Sequence, residues 1–186
     1  IFDIGVILYH GEETVKVRIV GEHTNVVLIE HDGRRLLEKE IAADSIASSM
    51  MDRSVLNIQD IVTFADIADI EDVKPILDRQ IAYNMAIAEE GICSNYGANI
   101  GKVLLHTYGE DVKTKARAYA AAGSDARMNG CSLPVIICSG SGNQGITASV
   151  PVIVYARELG IDQDRLYRAL LVSNLATIHQ KTGIGR

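Results

Sequence analysis

Hydrophobic and polar positions alternate along the first 38 residues. Thr14–Val20 alternates β-branched and charged side chains with the period of a half-buried strand. Phe2–Tyr9 and Asn25–Glu30 have the composition of two further strands, and Asp32–Gly33 is typical of a hairpin turn. The pattern predicts a small antiparallel meander over residues 1–38, a unit that needs a partner surface to be stable.

Beyond residue 38 the apolar positions follow a helical spacing. The pattern predicts helices that begin at Asn57 or Asp60, run from Glu71 or Asp72 to Gly91, span Asn99–Tyr108 and Asp111–Asn129, and follow a cap at Asp162. The predicted fold class is therefore α+β. We expect residues 1–38 to form a small β-unit, part of a larger domain in the full chain, and residues 39–186 a helical catalytic-type domain truncated at its C-terminal end.

One polar stretch, Ser139–Gly145, separates the apolar run Leu133–Cys138 from the apolar segment Ile146–Leu159. Glycine lets the backbone turn sharply and approach a ligand closely. Backbone amides at a helix N-terminus favour a small anion such as a carboxylate or phosphate. The alternative is a turn whose polar groups only cap the next helix.

The same stretch matches the dinucleotide-binding fingerprint at Gly140, Gly142 and Gly145. That fingerprint requires a second parallel strand after the helix, whereas Asp162–His179 has a helical pattern. The stretch also lacks the Gly-Lys-Ser/Thr ending of a nucleotide triphosphate loop. A dinucleotide or nucleotide triphosphate site is therefore not predicted.

Three further clusters carry polar chemistry. His179 is a candidate general base or acid, or a histidine that caps a helix C-terminus. Lys181 could bind a substrate carboxylate or lie in water. Arg127 and Asp125 are two residues apart and do not share a helix face, so each is expected to have its own partner at a surface helix end. The last of these three clusters, His23–Asn25, is a weaker candidate.

Composition narrows the classes of partner. The net charge of −6 argues against nucleic acid. No apolar run reaches the length of a membrane span, and no signal peptide is present, so a cytoplasmic location is expected. The three cysteines fit neither a disulfide framework nor a zinc motif. The small residues of Ala116–Ala126 allow close helix contact, within the chain or between subunits of a homo-oligomer.

Several blocks together make the chain similar to a known family: Gly21–Asn25, Asn95–Gly97, Asn129–Gly130, Ser139–Thr147 and His179–Arg186. The chain resembles the L-cysteine desulfidase family, which is related to the alpha part of iron–sulfur L-serine dehydratases. The resemblance implies a lyase that converts L-cysteine to hydrogen sulfide, ammonia and pyruvate, or L-serine to ammonia and pyruvate. It implies an oxygen-sensitive [4Fe-4S] cluster and no pyridoxal phosphate.

The resemblance also implies roles for individual residues. His179 and Lys181 are the catalytic candidates; they and Thr182 would lie near the substrate, and one of the three would serve in proton transfer. The loop of Ser139, Gly140, Ser141, Gly142 and Asn143 would bind the substrate carboxylate or lie against the cluster, and Gln144 and Thr182 are further candidates for substrate binding. Further candidates are Asn129, Arg127, Thr24 and Asn25. The resemblance places the family's cluster cysteines outside this chain, which is interpreted as a fragment of a longer protein. No metal or cofactor is therefore expected in the chain, and the fragment alone is expected to be inactive. The alternatives are a non-catalytic protein that binds an amino-acid carboxylate at the loop, and a purely structural helical domain.

Overall fold

The computed structural model describes residues 3–21, 24–40 and 52–184. It divides into two compact units, Ile1–Asp52 and Arg53–Arg186. The first unit is an antiparallel sheet and the second is helical, which confirms the α+β class. Within these residues no helix is both long and apolar enough to cross a membrane.

The first unit is a four-stranded antiparallel meander in the order β1-β2-β3-β4. Asp32 and Gly33, between the last two strands, have positive φ angles of 48° and 76°, the geometry of the predicted Asp-Gly turn. Strand ends differ by one residue from the prediction, and Phe2 and His23 lie outside the described residues. The strands are β1 Asp3–His10, β2 Glu13–Val20, β3 Val26–His31 and β4 Arg34–Glu38.

The second unit contains a short 3₁₀ turn, Arg53–Val55, followed by six α-helices in the described residues. Of the two predicted starts of the first helix, Asn57 is the cap, and the predicted cap at Asp162 is confirmed, because each side chain accepts a backbone N–H of its helix. Asp111 caps its helix in the same way. The prediction that Glu71 or Asp72 begins the longer helix is wrong, because Asp69 caps it and accepts the Glu71 N–H. The helices are α1 Ile58–Ile67, α2 Ile70–Cys93, α3 Ile100–Tyr108, α4 Val112–Met128, α5 Gly142–Glu158 and α6 Gln163–Ile184.

The small residues of α4 let neighbouring helices approach closely. Ala118, Ala122 and Ala126 are 0–2% exposed. A Cβ placed on Gly91 would lie 2.1 Å from the Ala122 carbonyl oxygen, so only glycine fits there. The prediction that Gly91 ends α2 is therefore wrong: the helix continues to Cys93, and the glycine serves a helix contact instead. Burial within the chain accounts for these alanines without a subunit contact.

Contacts between α4, α5 and α6 show which parts of these helices lie next to each other. Lys115 near the start of α4 pairs with Glu158 at the end of α5, at 2.9 Å. Arg127 at the end of α4 donates to the Asn143 side chain at the start of α5, so these two helices are antiparallel. The carbonyl of Asn174 in α6 lies 3.7 Å from the Cys138 sulfur. The start of α5 thus lies beside the C-terminal end of α4, and Cys138, just before it, lies beside the middle of α6.

Candidate functional site

The polar loop begins with a tight two-residue turn between Cys138 and Ser141. The two residues exchange backbone hydrogen bonds of 3.1 Å in both directions. Ser139 and Gly140 between them have positive φ angles of 49° and 79°, which fits a type I′ turn. Glycine adopts this conformation freely, whereas a serine there costs roughly 1–2 kcal/mol. The strained residue is therefore Ser139, and such strain often accompanies a functional role.

Buried Asn84 fixes the segment that leads into the turn. Its side chain is 0% exposed. Its Oδ1 accepts the Ile136 N–H at 2.8 Å, and its Nδ2 donates to the Ile136 carbonyl at 3.1 Å. Nδ2 also donates to Ser149 Oγ at 2.9 Å. The Asn84 amide thus pairs with both backbone groups of Ile136, as a neighbouring strand would, although residues 133–137 belong to no regular strand.

Close backbone packing holds the other side of the loop. A Cβ on Gly145 would lie 2.0 Å from the Ile136 carbonyl oxygen, so the first turn of α5 contacts this segment directly. Ser149 Oγ donates to the Gly145 carbonyl at 2.7 Å, and that serine is fully buried. Ser139–Ser141 is therefore held in place by Asn84 and by the start of α5.

Several backbone amides of the loop are already used in local structure. Ser141 caps α5: its Oγ accepts from Gln144 N at 3.4 Å, and its carbonyl accepts from Gly145 N at 3.0 Å. The Ser141 N–H is taken by Cys138, as described above. The capping alternative of the sequence interpretation is thus present in the structure. Helix α5 also starts at Gly142, four residues before the apolar segment at Ile146.

Arg53 links the turn to a cavity. Its Nη1 lies 3.4 Å from Ser139 Oγ, slightly longer than the usual N–H···O hydrogen bond of roughly 2.7–3.2 Å. The cavity has a volume of about 410 Å³, near the lower end of the roughly 300–1,000 Å³ of small-molecule sites. It is lined by Arg53, Ser54, Leu56, His179, Gln180, Thr182 and Gly183.

His179 lies inside α6, which continues to Ile184, so the predicted helix C-terminal cap at this histidine is wrong. The glycine at 183 does not end the helix. The imidazole lines the cavity, and its Nδ1 is buried with no hydrogen-bond partner in the described structure. Thr182 also lines the cavity while its hydroxyl donates to Ile178 O at 3.2 Å. Lys181 lies between these residues in the helix but is not part of the lining.

Arg127 and Asn143 meet beside the loop. Arg127 Nη1 donates to Asn143 Oδ1 at 3.2 Å, and the guanidinium covers Gly142. Asp125 instead accepts the Ile100 N–H at 2.9 Å and caps α3, which confirms that the two charged residues have different partners. Arg127 is thereby joined to the loop, although the residue is exposed.

The remaining candidates have local structural partners. Asn129 ends α4, and its Nδ2 donates to the Asp125 carbonyl at 2.8 Å. Gln144 has a buried Oε1 that lacks a hydrogen-bond partner in the described structure. Thr24 and Asn25 belong to the first unit, where Asn25 Nδ2 donates to the Val20 carbonyl at 2.9 Å.

The three cysteines lie in different surroundings. Cys93 is exposed at the end of α2, Cys131 is half-buried, and Cys138 is buried at the turn. Burial raises the pKa of the Cys138 thiol, and the positive charge of Arg53 acts in the opposite direction. Across the described ranges, no group of three or more His, Cys, Asp or Glu side chains is placed to hold a metal ion.

Two residues of this region were not found by sequence reasoning. Arg53 precedes the first predicted helix by several residues, and Asn84 lies within the apolar stripe of α2. A polar residue at a position where the helical spacing predicts burial is the signal that could have identified Asn84, and it applies equally to buried Gln80. Nothing local distinguishes Arg53, since its partner Ser139 is 86 positions away.

The helical unit thus has a polar turn at the start of α5 and a cavity lined by Arg53, Ser54, Leu56 and residues near the C-terminal end of α6. A sequence model of the serine dehydratase alpha chain family matches residues 31–186, and the chain belongs to this family. The family relation expected from the sequence blocks is thereby confirmed.

The chain is also similar to curated bacterial proteins. It is 58% identical to a UPF0597 protein of Desulfitobacterium hafniense over the whole chain, which covers 43% of that relative. A UPF0597 protein of Lachnoclostridium phytofermentans is 52% identical over 95% of the chain and 42% of the relative. The chain therefore spans about two fifths of the length of these relatives. No solved structure matches it significantly.

Proposed function

We propose that this chain is part of an amino-acid lyase that acts on a small β-substituted L-amino acid, L-serine or L-cysteine. The observation that carries the proposal is membership of the serine dehydratase alpha chain family over residues 31–186. Two observations support it: Arg53 and His179 line the same cavity, and Arg53 Nη1 lies 3.4 Å from Ser139 Oγ of the polar turn. The residues of the turn themselves do not line that cavity.

His179 is the candidate base for removal of the substrate α-proton. An imidazole exchanges protons near neutral pH, and its buried Nδ1 has no partner in the described structure. Departure of the β-hydroxyl or β-thiol with a proton then leaves aminoacrylate. This enamine becomes an imine, and water hydrolyses the imine to pyruvate and ammonia. Lys181 is the weaker candidate because it does not line the cavity.

The described residues do not fit the [4Fe-4S] cluster that the resemblance implies. They contain no set of three closely placed ligands, and their cysteines belong to separate parts of the helical unit. We propose that the ligands of the cluster lie in the part of the full-length protein that this chain does not span.

The test uses the full-length protein, purified and reconstituted with iron and sulfide under anaerobic conditions. L-Serine and L-cysteine are supplied separately, and pyruvate, ammonia and sulfide are measured. A lyase releases pyruvate and ammonia in equal amounts from either substrate, with one sulfide per pyruvate from L-cysteine.

Two results would overturn the proposal. Absence of pyruvate from both amino acids in a preparation that has incorporated the cluster contradicts the lyase activity. If such a preparation binds L-serine or L-cysteine without forming product, the protein is an amino-acid-binding protein instead.

A further inference from the structure

From the sequence, the backbone amides of the glycine loop are expected to bind the substrate carboxylate. The structure shows that three of these amides are used locally: Ser141 N donates to Cys138, and Gln144 N and Gly145 N donate to Ser141. Gly142 is covered by the Arg127 guanidinium. The loop therefore offers an anion fewer free donors than its composition indicates.

Arg53 provides a different anion-binding group. It is half-buried, and it contributes the only formal positive charge among the described residues that line the cavity. A guanidinium has five N–H donors in a planar fork, so it can contact Ser139 and still present two donors to a carboxylate. The other described lining groups are hydroxyl, amide, imidazole and aliphatic groups, and none of them carries a negative charge.

The position of Ser139 fits this role. The residue adopts a positive φ angle of 49° that serine rarely occupies, and its Oγ lies on the side of the turn that contacts Arg53. Asn84 and Gly145 hold this turn rigidly from the buried side, as described above. Ser139 thus presents its hydroxyl to Arg53 from a turn that is itself held in place.

We propose that Arg53, positioned by Ser139, binds the carboxylate of the amino-acid substrate in the cavity next to His179. This inference rests on the proposed function for the identity of the substrate. A carboxylate paired with Arg53 places the α-carbon of a small amino acid within the same cavity as the imidazole. The short side chain of serine or cysteine suits a cavity of about 410 Å³.

The experiment measures binding without turnover in the full-length protein. L-Alanine keeps the carboxylate and amine of the substrate but has no β-leaving group, and L-alaninamide also lacks the carboxylate charge. Isothermal titration calorimetry gives the Kd of both compounds for the wild type, Arg53→Gln, Arg53→Lys and the control Arg157→Gln. Arg157 is an exposed arginine that pairs with Glu89 on the surface.

We expect the wild type and Arg157→Gln to bind L-alanine roughly 10- to 100-fold more tightly than L-alaninamide, the range of a charge-assisted hydrogen-bonded pair. Arg53→Gln should lose most of this preference, and Arg53→Lys should keep part of it. Because the readout is a ratio of two ligands, a general weakening of the fold does not imitate it.

The outcomes separate this inference from the proposed function. If Arg53→Gln retains the wild-type preference for L-alanine, or if the wild type binds no L-alanine, the inference is wrong even when pyruvate is formed. If the preference depends on Arg53 but no pyruvate is formed from L-serine or L-cysteine, the carboxylate site stands and the lyase proposal fails.

Discussion

Replacement of Asn84 by alanine should destabilise the helical unit strongly. The side chain is 0% exposed and makes three hydrogen bonds: it accepts from Ile136 N at 2.8 Å and donates to Ile136 O at 3.1 Å and Ser149 Oγ at 2.9 Å. A typical hydrogen bond contributes about 1 kcal/mol, and a buried group left unpaired costs about 1–3 kcal/mol. We therefore expect a loss of roughly 3–5 kcal/mol in the free energy of unfolding.

The assay is urea unfolding of the full-length protein followed by far-ultraviolet circular dichroism, in which the midpoint reports stability at unchanged slope. Asn95→Ala is the matched control, because Asn95 is exposed and its side chain accepts a hydrogen bond from the exposed end of Lys102. It should remain within about 0.5 kcal/mol of the wild type. A loss below about 1 kcal/mol for Asn84→Ala would refute the idea that this amide fixes the segment before the turn.

Three further predictions concern separate contacts. Gly145→Ala should destabilise the protein, because its Cβ would lie 2.0 Å from the Ile136 carbonyl oxygen; urea unfolding measures the loss. Arg168→Ala should speed hydrogen exchange at the C-terminal end of α1, because Nη1 donates to the last carbonyls of that helix at 2.7 and 2.8 Å. Cys138 should react with iodoacetamide only at higher pH than Cys93, because burial raises its pKa and lowers its thiolate fraction at any given pH.

The first two of these predictions have a control variant, and the third has a second variant with an expected shift. Gly5→Ala places a Cβ with no heavy atom within 4 Å, so it should leave the unfolding midpoint nearly unchanged. Arg165→Ala removes an exposed arginine on α6 and should not change exchange in α1. Arg53→Gln should shift Cys138 alkylation to still higher pH, since the Arg53 charge lowers the thiol pKa. Equal effects of variant and control, or alkylation of both cysteines over one pH range, would contradict the corresponding contact.

Features that depend on neighbouring residues could be predicted from the sequence. Asp32–Gly33 specifies its own turn, because only a few residues tolerate two successive positive φ angles. Asn57 and Asp111 cap their helices through side chains that reach backbone amides two or three residues away. These interactions are local, so the pattern contains the information.

The remaining features depend on tertiary contacts. Glycine is typical of a helix end, yet Gly91 lies inside α2, where the backbone of α4 approaches it closely. His179 lies in mid-helix because α6 continues through Gly183 to Ile184. Arg53 and Ser139 meet only after folding, since they are 86 residues apart. The sequence therefore predicts the polar turn, but it does not predict that the Arg53 guanidinium lies beside that turn.

The most direct test of the proposed site is the rate of pyruvate formation from L-serine by anaerobically reconstituted full-length protein and its His179→Gln variant. We predict that the wild type forms pyruvate and that His179→Gln is slower by roughly 100-fold or more, the usual contribution of a general base. Binding of L-alanine should remain unchanged in that variant. An equal rate in the two proteins would contradict the assignment of His179, and absence of pyruvate from L-serine and L-cysteine in the cluster-loaded wild type would contradict the lyase function itself.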